Sequence, residues 1–150
     1  MPKQIKANQI QVRLLNQSDL SALNHLYADD QLLAQAGIVI DANPEFRQMV
    51  FNNWVKQKFL WGIFSHQLLI GTINLFPTEG QEEIGYLLMP KYQHHGIMTM
   101  AVGEVLQQNH SCPIFAKVRV NNEPSQRVLQ KNGFDLTATD QGWMRFLKKN

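Results

Sequence analysis

Apolar residues along this chain recur with two periods, and each change of period marks an element. Residues 10–15 (Ile-Gln-Val-Arg-Leu-Leu) read as a first strand. Ser18-Asp19 then opens a helix whose apolar positions Leu20, Leu23 and Leu26 have helical spacing behind a plausible cap. Residues 31–43 fit neither period, and Gly37 and Asn43-Pro44 interrupt them. A second helix is predicted over about 44–57, with Phe46, Val50 and Trp54 on one face. The middle of the chain turns to strands. Residues 59–65 and 67–76 form apolar runs joined at His66-Gln67, a hairpin signal. Pro77-Thr78-Glu79-Gly80 reads as a turn, and residues 82–88 as the next strand. Pro90 ends that strand, because proline offers no N–H to a ladder.

The strongest helix covers 97–109. Ile97, Ala101 and Val105 form its stripe, widened by Met98, Val102 and Leu106, as suits a helix lying on a sheet. Residues 113–120 follow as a strand. Pro124 suits the first turn of another helix, and Asn132-Gly133 stops it. Residues 134–139 and 142–147 close the chain as a hairpin turning at Gln141-Gly142. The order β-α-α-β-β-β-α-β-α-β-β is that of a mixed α/β or α+β protein.

Composition narrows the class. A chain of 150 residues, 44% hydrophobic and 17% charged, is expected to fold as one domain over 1–150 with a real core. A net charge of +2, with basic residues scattered apart from Lys148-Lys149, does not point to nucleic acid. The single Cys112 excludes an internal disulfide and a multi-cysteine zinc site. Beside Pro113 it reads as a buried, inert thiol. No signal peptide or bilayer-length apolar run is evident, so no membrane partner and a cytoplasmic location are expected.

The chemistry concentrates in the stretch from Glu83 to Thr99, a strand, a short loop and then a helix entered through Gly96. A helix start presents unpaired N–H groups and the positive end of the macrodipole, which together suit a phosphate or pyrophosphate. Glycine at 96 permits a positive φ and close backbone approach, and Thr99 adds a hydroxyl. The three-glycine dinucleotide spacing is absent, and no Gly-Lys-Ser/Thr follows. An ordinary strand-to-helix turn explains one glycine equally well, so the loop alone leaves both readings open. The adjacent His94-His95 do not suit a metal, since neighbours rarely point at one ion and no carboxylate or cysteine cluster supports them.

A resemblance separates these readings. Gln93-His94-His95-Gly96 resembles the first half of the Gln/Arg-x-x-Gly-x-Gly/Ala pattern of GNAT-type N-acetyltransferases, with Met98 where Gly or Ala is usual. The run Gly96–Ala101 and the preceding Tyr86-Leu87-Leu88 are similar to the branch that acetylates N-termini of ribosomal proteins. So is Asn-x-x-Ser-x-x-x-Leu-x-x-x-Gly-Phe, represented by Asn122, Ser125, Leu129, Gly133 and Phe134. Val12-Arg13-Leu14 followed by Ser18-Asp19 extends the likeness to the start of the chain.

The resemblance implies a mixed, mostly antiparallel sheet with helices on both faces, splayed between its fourth and fifth strands. It implies acetyl-CoA as cofactor and direct transfer without a covalent enzyme intermediate. Backbone groups near Leu87, Leu88 and Met89 would pair with the pantetheine arm. Gln93, His94, His95, Gly96, Ile97, Met98 and Thr99 would cradle the pyrophosphate, and Asn122 and Ser125 would meet the arm. Acyl transfer to a protonated amine needs a base, a partner for the departing thiolate and a donor for the oxyanion. Glu83 is the base the resemblance implies, since it begins the strand before the cofactor loop, where the family often has an acid; alternation lets only one of Glu82 and Glu83 face the cleft. Many relatives place a tyrosine seven residues after the asparagine; here that residue is Leu129, so Ser125 becomes the thiolate partner, with Tyr86 the weaker candidate.

Each residue also has a plainer reading: a solvated strand-edge carboxylate, a first-turn serine bonded to nearby backbone, a core tyrosine and a helix cap at Asn122. The partner is an amine acceptor, either a small molecule or a protein N-terminus such as that of a ribosomal protein. A homodimer is among the assemblies allowed. The aromatics Trp54, Trp61, Phe59 and Phe64 read first as core; alternatively, Trp54 and residues 27–50 would line the acceptor pocket, since relatives build it from the first two helices. Asp29, Asp30, Asp41 and Glu45 could attract a cationic amine there, or simply be solvated. The alternative is a non-catalytic acyl-CoA-binding domain on the same fold.

Overall fold

The computed structural model describes residues 9–108 and 110–149. Its strands are β1 (Ile10–Leu14), β2 (Leu60–Ser65), β3 (Leu68–Thr78), β4 (Gln81–Leu88), β5 (Ile114–Arg119), β6 (Asp135–Asp140) and β7 (Trp143–Lys148). They form one sheet in the order β1-β2-β3-β4-β5-β7-β6. Neighbours are antiparallel except β4 and β5, which run parallel and pair only at Glu82 with Ile114 and Glu83 with Phe115. Beyond those two pairs the strands part.

Helices cover both faces. On one lie α1 (Leu20–Leu26), α2 (Asp30–Gln35) and α3 (Pro44–Lys56), which bury Leu23, Leu26, Leu33 and Phe51 against Leu60, Phe64, Leu69 and Leu87. On the other lie α4 (Ile97–Leu106) and α5 (Glu123–Lys131), which bury Ile97, Ala101, Val105 and Leu129 against Ile63, Ile73, Ile84 and Phe146. Each such side chain taken from water contributes about 1.5–3 kcal/mol, so the two cores fix which sheet face every strand residue adopts. Alternation then sends Ile84 of β4 to one core and Leu87 to the other. Two of the three two-residue hairpins turn at left-handed pairs, His66 (φ 48°) with Gln67 (φ 69°) and Gln141 (φ 50°) with Gly142 (φ 86°). That conformation matches the twist of the flanking strands.

Local expectations need three corrections. Residues 31–43 contain a short helix, α2, capped by Asp29, whose side chain accepts from the Leu32 N–H (3.1 Å). The inward stripe of α3 is Phe51 and Val55 with Trp54 beside them, while Phe46 is exposed. Arg47 turns inward to donate to the Tyr27 carbonyl (2.9 Å), which rotates the buried face by one residue. Finally, β3 runs on through Pro77 to Thr78. Pro77 is tolerated because β2 ends opposite Asn74, so its missing N–H faces an edge rather than a ladder.

The first strand is tied to α1 by charge. Asp19 accepts from Arg13 (2.8 and 3.0 Å) and from the Asn16 N–H (2.8 Å). The Arg13 hydrogen bonds, against an opposing burial penalty, hold the carboxyl below its ordinary value of 3.8. A depressed folded value stabilises fully above the unfolded value and is lost as pH falls through the folded one. Arg13→Gln should therefore cost about 1 kcal/mol near neutral pH, a modest figure because the Arg13 side chain is 35% exposed. The difference from native should vanish at about pH 2 in thermal unfolding. A gap that persists there would assign the effect to packing.

Candidate active site

The parting of β4 from β5 opens the sheet. The Glu82 N–H donates to the Pro113 carbonyl (3.0 Å), so the backbone groups of Ile84, Tyr86 and Leu88, which turn the same way, face the opening. Met89 donates instead to the Ile70 carbonyl (2.8 Å), on the β3 side, and Leu87 turns with it. Gln93 Nε2 donates to the Leu88 carbonyl (2.8 Å) and ties the loop to the end of β4. Polar backbone left without a strand partner needs water or a ligand. A cleft of about 1040 Å3 runs through the opening, walled by α4 and α5 on one face and by residues around 32–39 with Trp143 on the other.

At the α4 end the loop has the form of an anion cradle. Gly96 is the N-cap residue with φ 75°, and His94 has φ 67°. A Cβ on Gly96 would meet nothing within 4 Å, so glycine is required there by conformation and not by crowding. No side chain caps α4, and the helical bonding begins with the Met100 N–H on the Gly96 carbonyl (3.2 Å). The preceding N–H groups are left for a ligand. Gln93, His94, Gly96, Ile97, Met98 and Thr99 line the cleft. His95 does not, and neither does Met89. On α5, Asn122 caps the helix by accepting from the Ser125 N–H (3.2 Å) and also lines the cleft. Arg127 and Lys131, one turn apart on α5, also line the cleft and add positive charge, Arg127 lying 3.9 Å from Glu123; their helical spacing is the sequence signal for them. Open strand backbone, an uncapped helix start and two cations suit the amides and phosphates of an acyl-CoA.

Tyr86 and Ser125, thirty-nine positions apart, meet at the opening. The Tyr86 hydroxyl donates to the Ser125 carbonyl (3.0 Å), so the 2.8 Å contact between the two hydroxyls has Ser125 Oγ as donor. Burial pushes the phenol well above its ordinary value, only partly offset by the Ser125 hydrogen bond. It is a proton donor throughout the neutral range. Leu129, where a tyrosine was considered, is wholly buried and brings no donor to the cleft.

Glu82 and Glu83 do point to opposite faces. Glu82 joins His110 Nδ1 (3.4 Å) and Cys112 Sγ (3.7 Å) at a separate pocket of about 500 Å3 that Trp61 also lines. Cys112 is thus half-buried and not enclosed as expected, and burial with the Glu82 charge pushes its thiol up. Glu83 lies on the face shared with Gly85 and Leu87, opposite Phe76 in register, and is not itself a lining residue. It is half-buried and forms no salt bridge among the described residues. Of the alternative acceptor wall, Leu32 and residues 34–39 line the cleft; Trp54 instead packs against the core, as its first reading had it, on Phe51 (5.8 Å) and Phe76 (5.0 Å). None of Asp29, Asp30, Asp41 and Glu45 lines the cleft. Asp29 caps α2, and Asp41 accepts from the Asn43 N–H (2.8 Å). Among the described residues no three His, Cys, Asp or Glu side chains form a metal site. None of their helices is long and apolar enough to cross a membrane.

A sheet split between parallel strands, with an open helix start above the split, suits an acyl-CoA-dependent acyltransferase. Comparison gives the family: the acetyltransferase (GNAT) domain matches residues 9–135, and the chain belongs to it as an acetyl-CoA-dependent acetyltransferase. The fold is shared with PaiA N-acetyltransferase from Thermoplasma acidophilum in complex with coenzyme A (TM-score 0.72, 21% identity, 94% of this chain and 99% of that one). It is shared with ribosomal-protein-S5-alanine acetyltransferase from Vibrio fischeri (0.76, 22%, 95% and 93%). It is shared also with spermidine N-acetyltransferase from Vibrio cholerae in complex with CoA and spermine (0.73, 15%, 93% and 94%). No curated protein sequence matches the chain.

Proposed function

We propose that this acetyltransferase moves the acetyl group to a primary amine by direct attack, with the α-amine of a protein or peptide N-terminus as the leading acceptor and a small amine as the other. The observation that carries the reading is the contact of Tyr86 with Ser125 across the opening, because it puts paired hydroxyl donors where strand and helix part. The N-terminal preference draws on the motif resemblance and on the fold shared with the ribosomal-protein acetyltransferase.

Acetyl-CoA supplies the activated acyl group, and the chain supplies position and protons. The cradle from Gln93 to Thr99 and the α5 cations hold the phosphates. The open edge of β4 at Ile84, Tyr86 and Leu88 pairs with amide groups of the arm and offers an N–H to the oxyanion. The Ser125 hydroxyl turns from Tyr86 to donate to the departing thiolate, and Tyr86, bonded to the Ser125 carbonyl, positions it. The acceptor enters from the α2 face, since the cofactor takes the α4–α5 face. Glu83 shares that α2 face, two residues before the cleft-lining Gly85, and takes the amine proton through water.

Glu83→Gln should lower kcat by about a hundredfold, with the acetyl-CoA KM within about twofold of native. The loss should shrink as pH rises and more of the amine is already deprotonated. A pH-independent rate equal to native would remove Glu83 from the mechanism.

A further inference from the structure

We infer that the acceptor carries a carboxylate near its amine, and that Lys117 and Arg119 recognise it. This rests on the acetyltransferase reading above and adds the chemistry of the acceptor. Among the described residues lining the cleft none is Asp or Glu, whereas Lys117, Arg119, Arg127 and Lys131 all line it. The four divide by sheet face. Arg127 and Lys131 stand on α5 beside the cradle, Arg127 also 3.9 Å from Glu123, and the cofactor's phosphates would answer the rest of their charge. Lys117 and Arg119 alternate on β5 with Ala116 and Val118, which are buried in the core under α4. They therefore belong to the opposite face, the one from which the acceptor enters.

Their surroundings leave that charge unanswered. Lys117 is exposed and pairs in register with Arg145 of β7, a like-charge neighbour that costs stability. Arg145 is itself engaged, donating to Gln81 Oε1 (2.8 Å) over the Phe115 ring (4.3 Å). The Arg119 guanidinium lies 4.1 Å over the Trp143 ring. Gly37 closes this end, since a Cβ there would stand 3.7 Å from Trp143. The carboxylates of the sheet that share the face are Glu83 on β4 and, on β6, Asp140 opposite Trp143 and Asp135 opposite Leu147. None of them forms a salt bridge with Lys117 or Arg119. An amine reaching Glu83 thus passes two cations set about 7 Å apart on one strand face. A polyamine is repelled there, and an amine that brings its own carboxylate is held. The carboxylate can be the α-carboxylate of a free amino acid or the second-position side chain of an acidic N-terminus.

The test measures kcat/KM with acetyl-CoA for several acceptors. These are free aspartate, glutamate and alanine, their carboxamides, amidated Ala-Asp and Ala-Lys peptides, and spermine. Carboxylate-bearing acceptors should exceed their uncharged or cationic counterparts by about tenfold or more, with the margin shrinking as salt rises. Preference for the amino acids or for Ala-Asp peptides identifies the source of the carboxylate. Lys117→Gln with Arg119→Gln should bring the ratio near unity while the acetyl-CoA KM stays unchanged. Equal use of spermine or Ala-Lys peptides, or a preference surviving the double substitution, overturns the inference. So does thermal stabilisation by acetyl-CoA without turnover of any carboxylate-bearing acceptor. Absence of that stabilisation would instead overturn the acetyltransferase reading itself.

Discussion

Replacing Gly96 with aspartate is expected to remove acetyl-CoA binding from a chain that still folds. Gly96 has φ 75° at the start of α4, and a side chain there enters open space. The left-handed backbone costs an L-residue about 1–2 kcal/mol, a loss that a stable domain survives. The carboxylate does the greater damage. It competes for the helix-terminal N–H groups and repels the pyrophosphate from a site built to attract it. The measurement is thermal unfolding with and without acetyl-CoA. A ligand at about a hundred times its Kd stabilises the native chain by about 2.7 kcal/mol, and the variant should show no shift. Gly96→Ala separates the two causes, since it carries the strain without the charge. It should lower Tm in the absence of ligand yet keep acetyl-CoA affinity within about tenfold. An Asp variant that binds like native would reduce the loop to an ordinary turn.

Tyr86→Phe and Ser125→Ala should each lower kcat by about a hundredfold or more, the loss expected when a donor aimed at developing charge is removed. Affinity for acetyl-CoA should change little, because the phosphates are held elsewhere. The double variant should be no worse than about the poorer single one, since each hydroxyl acts through the other. Ser125→Thr keeps the hydroxyl and should restore most of the rate. The buried phenol lies above its ordinary value, so Tyr86 stays protonated as pH rises through neutrality and adds no neutral limb to the kcat profile. A large loss of Tm with native kcat would make the pair a structural clasp between β4 and α5. Stable, inactive variants that bind acetyl-CoA would place the pair in the reaction.

The elements of this protein were legible because their causes are local. Ile97, Ala101 and Val105 repeat at helical spacing, His66-Gln67 and Gln141-Gly142 accept the left-handed turn conformation, and Gly96 marks a helix entered through a positive φ. The motifs around Gly96 and Asn122 carried the family with them. Other features were hidden. Phe46, Val50 and Trp54 form as good a stripe on paper as the one α3 buries, and tertiary contacts select between them: Phe51 packs edge-on against Tyr27 (5.3 Å) and Arg47 donates to the Tyr27 carbonyl. Residues 31–43 have no clear period, and α2 exists because Asp29 caps it and the sheet accepts Leu32 and Leu33.

The site follows the same division. Alternation in the sequence already implied that Glu82 and Glu83 part and that Lys117 and Arg119 stand together. It did not say which face either pair would adopt, because that choice is made when α4 buries Ile84, Ala116 and Val118. Nor did it bring Tyr86 to Ser125, whose contact exists only because β4 and α5 flank one opening. The sequence by itself determined the helix start at Gly96 and the periods, which depend on neighbours along the chain. The tertiary structure decided which charges and hydroxyls share the cleft, because it alone sets which faces are turned to one another.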